Sequence, residues 1–155
     1  MMMDLIAAAA LAAAWAPLAQ EAPKPPAAPA ASETADSLSI AMGETVVVRL
    51  GEGGRGLLVV SRTRDDPEGE VPADSVRFSF GSVAGQSMLS VENGYGRAFE
   101  YRARMFLGRR SATTSTCTVL PGISAFESWP HAIDRLEVSR AELLPPGPVA
   151  SIRCR

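Results

Sequence analysis

Apolar residues recur at every second position through much of this chain. In residues 75–80 (SVRFSF), Val76, Phe78 and Phe80 share one side and Ser75, Arg77 and Ser79 the other. In residues 97–106, Phe99, Tyr101, Ala103 and Met105 lie opposite Glu100, Arg102 and Arg104. The stretches 45–50 (TVVVRL), 57–62 (LLVVSR), 87–92 and 113–119 are read as further strands, as are the last few residues around Ile152 and Cys154. A period of two is the signature of a half-buried β-strand, because successive side chains point to opposite faces. Residues 131–144 fit either period. Leu136 and Val138 alternate, while Ile133, Leu136 and Leu143 suit a helix face, and a strand is expected.

Gly, Pro and Asp separate these segments at intervals of about 8–12 residues, the rhythm of an antiparallel sandwich or barrel. The expected fold is all-β, an immunoglobulin-like antiparallel sandwich of about 7–8 strands. GEGGRG, residues 51–56, reads as a hairpin turn. Asn93-Gly94 lies between two alternating runs and predicts a type I′ hairpin, since both residues tolerate positive φ. Tyr101 and Trp129 are expected as core anchors, and Pro130 as a corner.

The N-terminal region is of a different kind. Residues 5–16 (LIAAAALAAAWA) are too short to span a bilayer and suit the apolar core of an export signal, although the leader carries Asp4 and no basic residue. Cleavage after Ala14 or Ala19 fits the small-residue rule, while Pro17 disfavours cleavage after Ala16. The predicted organisation is a signal peptide at 1–19, a Pro/Ala-rich disordered linker at 20–38 and one β domain at 39–155. With no cysteine near the leader's end, a lipid anchor is not expected, nor is a membrane span in the mature chain. Export to the periplasm or the exterior is the expectation.

Export gives the two cysteines a meaning. Cys117 and Cys154 lie on the apolar side of their segments, where a bridge across the core is expected in an oxidising compartment. They are 37 residues apart, so the bridge would contribute about 3–4 kcal/mol by restricting the unfolded chain. It would also tie down a terminus prone to fray.

Charge narrows the functional classes. From Ser37 onward there are 14 Arg, no Lys and 13 acids, so the domain is close to neutral. Net charge therefore offers nothing to nucleic acid or to a membrane surface. Arg102, Arg104, Arg109 and Arg110 form an outward row that is a candidate site for a carboxylate or phosphate, or a solvated face paired with Glu92 and Glu100. The acids Asp65, Asp66, Glu68, Glu70 and Asp74 offer oxygen ligands for calcium without EF-hand spacing. One His and two paired Cys make no ordinary zinc site.

Catalytic patterns are sparse. His131 with Asp134 and Ser124 or Ser128 is the one arrangement open to a hydrolase, and no G-x-S-x-G elbow accompanies it. GEGGRG lacks the Lys-Ser/Thr of a phosphate loop, so no cofactor is expected. An exposed loop at 121–128 is a further candidate, for protease inhibition. A non-enzymatic binding or accessory role in the envelope is the expectation, with another envelope protein as a candidate partner.

Five motifs lie between residues 87 and 139: Asn93-Gly94-Tyr95, Tyr101-Arg102-Ala103, Cys117 followed by Pro121-Gly122, Glu127-Ser128-Trp129-Pro130, and Ile133, Leu136 and Val138. In these the chain resembles a group of uncharacterised exported β-domain proteins of Gram-negative bacteria. The resemblance implies a shared exported domain and carries no activity.

Overall fold

The structure, a computed structural model, describes residues 35–64, 69–147 and 152–155. The expected signal peptide, most of the linker, and Asp65, Asp66 and Glu68 of the acidic loop lie outside them. Among the described residues there are nine strands: β1 (Ser37–Ala41), β2 (Glu44–Leu50), β3 (Leu57–Thr63), β4 (Val76–Val83), β5 (Gln86–Asn93), β6 (Phe99–Leu107), β7 (Arg110–Thr114), β8 (Ser124–Trp129) and β9 (Arg135–Leu143). No helix among them is long and apolar enough to cross a membrane. The sandwich is as expected, in two antiparallel sheets of order β1-β9-β6-β7 and β3-β2-β4-β5-β8.

Alternation built these sheets. Val46, Val48, Val76, Phe78, Leu89 and Val91 of the five-stranded sheet are fully buried, as are Ile40, Phe99, Leu136 and Val138 of the four-stranded one. Phe78 meets Phe99 and Tyr101 edge-on, at centroid distances of 6.0 and 5.6 Å, and Phe99 stacks on Tyr101 at 5.6 Å. Rings so arranged add roughly 0.5–1.5 kcal/mol per pair beyond the area they bury. Tyr101 and Trp129 are in the core as expected. GEGGRG closes the β2–β3 hairpin, with a 3-10 turn at Glu52–Gly54.

Several expectations are corrected. Asn93-Gly94 does not close a hairpin, because β5 and β6 belong to different sheets and the chain crosses the sandwich there. Neither residue has positive φ. The segment 113–119 is not one strand: β7 ends at Thr114, and backbone pairing with β6 resumes where Val119 and Phe99 exchange hydrogen bonds of 2.9 Å. Residues 124–128 belong to a strand, so the expected loop at 121–128 is limited to residues 121–123. β1 begins at Ser37 and buries Leu38, so the ordered domain starts inside the expected linker. In β9 the expected strand is present, with a bulge that seats Arg140 at φ 50° opposite the register break between Glu100 and Arg102.

The disulfide forms, but along an edge rather than across the core. Cys117 and Cys154 face each other at a Cα–Cα distance of 3.9 Å, and Cys154 is exposed. Thr116 and Arg155 bond each other's backbone at 2.9 Å, and Thr118 N–H donates to the Arg153 carbonyl at 2.9 Å. The C-terminal residues thus form a short ladder with residues 116–118.

Candidate functional site

Alternation in β6 points Arg102 and Arg104 away from the core, on the outer face of the four-stranded sheet. The β9 bulge adds Arg140, because one extra residue breaks the alternation and turns this side chain outward between inward-facing Val138 and Ala141. The C-terminal ladder adds Arg153 and Arg155, which flank Cys154 and so point away from it. Arg102, Arg140, Arg153 and Arg155 line one concavity of about 220 Å³, together with Glu100, Glu142 and residues 116–118. Arg102 and Arg140 also line the adjoining concavity, of about 280 Å³, with Arg104, Thr113, Glu137 and Ser139.

The acids of the first concavity each have a partner, Glu100 within it and Glu142 outside it. Glu100 accepts the Thr118 hydroxyl at 2.9 Å, and Glu142 pairs with Arg55 at 3.3 Å. The pairing of the arginine row with Glu92 and Glu100 does not occur; Glu92 instead holds Arg77 at 3.2 Å on the other sheet. Among the described residues the side chains of Arg102, Arg140, Arg153 and Arg155 have neither an ion pair nor a hydrogen-bond partner. At the other end of the row Glu137 stands directly opposite Arg104 in register, which offsets the charge there. Arg109 and Arg110, at the exposed β6–β7 turn, line neither concavity.

Beneath this edge the two sheets are sewn together. Glu127, inward-facing on β8, accepts the Cys117 N–H at 3.0 Å, and the Trp129 indole donates to the Thr114 hydroxyl at 2.8 Å. The Thr116 hydroxyl donates to the Tyr101 carbonyl at 2.7 Å. Burial, and secondarily the Glu127 carboxylate, push the Tyr101 hydroxyl above the usual phenol range, so it stays protonated.

The remaining candidates are placed as follows. His131 is exposed, and its carbonyl rather than its imidazole is used, accepting the Ser87 hydroxyl at 2.8 Å. Asp134 accepts the Gly108 N–H, and Ser124 and Ser128 lie on the outer face of β8. Glu70 and Asp74 are exposed, and no group of three or more metal-ligating side chains occurs among the described residues. Arg153 and Arg155 were legible in the sequence as the residues opposite Cys154. Arg140 was not, because a bulge has no signature in a period-two pattern.

Fold and face together define a disulfide-bridged antiparallel β-sandwich domain with an arginine-lined outer sheet. Comparison with protein families, curated proteins and solved structures finds no match to the chain.

Proposed function

We propose that this protein is an exported, non-catalytic binding module that takes an anionic ligand, a carboxylate or a phosphate, on the outer face of its four-stranded sheet. One observation carries the reading: Arg102 and Arg140 line two adjoining concavities, and the nearest carboxylates of the larger arginine cluster are engaged with Thr118 and Arg55. Guanidinium groups present fixed, planar pairs of donors that match the oxygens of such anions. Neighbouring arginines that outnumber the acids beside them repel one another, and an anion relieves that repulsion. The disulfide supports an oxidising compartment, in keeping with the leader and with the resemblance across residues 87–139.

The test is thermal unfolding against a panel of small anions, followed by the fluorescence of Trp129 in the chain without the leader that holds Trp15. A ligand that binds the folded chain raises the midpoint. The rise is expected to vanish in Arg102→Ala combined with Arg140→Asn, asparagine being chosen because it tolerates the left-handed backbone at that position. A panel in which no anion moves the midpoint would exclude this reading.

A further inference from the structure

We infer that the anion site is completed by the disulfide, so that tight binding belongs to the oxidised chain alone, and that its preferred ligand is a multiply charged oxyanion such as a phosphate group. The inference rests on the anion-binding reading above.

The cavity of about 220 Å³ has two halves with different origins. Arg102 and Arg140 stand on β6 and β9, which are anchored by the core residues Tyr101, Val138 and Ala141. Arg153 and Arg155 stand on a tail with no buried residue, since residues 152–155 are all exposed. What holds the tail is its ladder to residues 116–118 and the covalent bond from Cys154 to Cys117. A ladder this short, with no buried side chain on the tail, does not by itself offset the entropy of ordering it. The covalent link makes its closure intramolecular and persistent.

The wall of the cavity facing the tail is itself held by the core. Cys117 is gripped on its N–H by Glu127, while buried Thr116 and Thr118 bond the Tyr101 carbonyl and Glu100. The anchoring cysteine is thus fixed and the anchored one is not. Reduction is expected to release the tail and leave the rest of the cavity standing. Bridge formation balances as thiol–disulfide exchange. Cys117 and Cys154 give up two electrons and two protons to a disulfide-bearing oxidant of the export compartment, which leaves as two thiols.

Charge sets the ligand class. Among the side chains lining the cavity are four arginines and two carboxylates, an excess of two positive charges that a monoanion only partly offsets. A phosphate dianion presents three or four acceptor oxygens in a volume that this cavity accommodates.

The full chain is titrated with inorganic phosphate, and with acetate as the monoanion control, by isothermal calorimetry. The oxidised chain is expected to bind phosphate well ahead of acetate. Cys117→Ser/Cys154→Ser and, separately, Arg153→Ala/Arg155→Ala with the bridge intact are each expected to weaken phosphate binding by about tenfold or more, the worth of one or two charge-assisted hydrogen bonds. The arginine variant keeps the bridge, which separates loss of the site from loss of the fold. If oxidised wild type binds phosphate and both variants bind it equally well, the disulfide-completed site is wrong and the simpler anion face survives. If acetate binds as well as phosphate, the ligand class is wrong. If oxidised wild type binds neither, the anion-binding reading falls, and this inference with it.

Discussion

The side-chain amide of Asn93 donates to the backbone carbonyl of Val119 at 3.1 Å, joining points 26 residues apart. The same amide reaches the carbonyls of Arg97 at 2.8 Å and Leu120 at 3.3 Å, and its oxygen accepts the Tyr95 N–H at 3.0 Å. Asn93 is 1% exposed. It is a buried clamp at the crossing from one sheet to the other. Asn93→Asp would aim one carboxylate oxygen at three carbonyls and is expected to cost about 3 kcal/mol or more in urea unfolding. Asn93→Gly separates the two accounts of this residue. A hairpin turn would tolerate it, whereas the clamp predicts a loss of about 2–3 kcal/mol.

Gly94 is required by contact rather than by backbone angle. A Cβ there would lie 2.5 Å from the Pro72 carbonyl and 3.0 Å from that of Ser75, both backbone atoms. Gly94→Ala should therefore destabilise by about 1–3 kcal/mol, as overpacking does. Gly96→Ala, where nothing lies within 4 Å, is expected to stay within about 0.5 kcal/mol. Midpoints of thermal unfolding for the two variants check the contrast.

The bridge closes a loop of 37 residues. Its removal in Cys117→Ser/Cys154→Ser is expected to lower unfolding stability by at most about 3–4 kcal/mol in the chain-entropy account, since release of the tail in the folded chain offsets part of the loss. Because the tail is exposed, the native spectrum of Trp129 should be preserved at low denaturant. A shifted native spectrum would show that the bridge shapes the core.

Glu44 provides a pH test. Burial raises its pKa, but the Arg62 guanidinium at 2.6 Å and the Ala41 N–H at 2.8 Å outweigh burial and hold it below the ordinary glutamate value. A carboxylate depressed in the folded state stabilises above its unfolded pKa, and that contribution fades as pH falls through the folded one. The stability gap between wild type and Glu44→Gln should thus be open at neutral pH and close on acidification. Arg62 is 40% exposed, so the gap should be small and shrink with added salt.

Where side chains alternate against a core, the sequence was readable without the structure. Val76, Phe78 and Phe80 announced β4, and Phe99, Tyr101 and Ala103 announced β6 with its outward Arg102 and Arg104. β8 escaped notice because Phe126 is exposed while Ala125 and Glu127 face inward at the sandwich edge, which inverts the expected pattern. The bulge at Arg140 escaped because it changes parity rather than composition.

The sequence by itself determined that strands form, which of their faces are apolar, and that two cysteines are available to pair. These follow from local geometry, since a period of two depends only on neighbouring residues. Only the tertiary structure decided that the chain leaves one sheet for the other at Asn93, that the disulfide runs along an edge, and that arginines from β6, β9 and the tail share one concavity. Sheet assignment and long-range register depend on how whole faces pack together, and no short window of sequence contains that information.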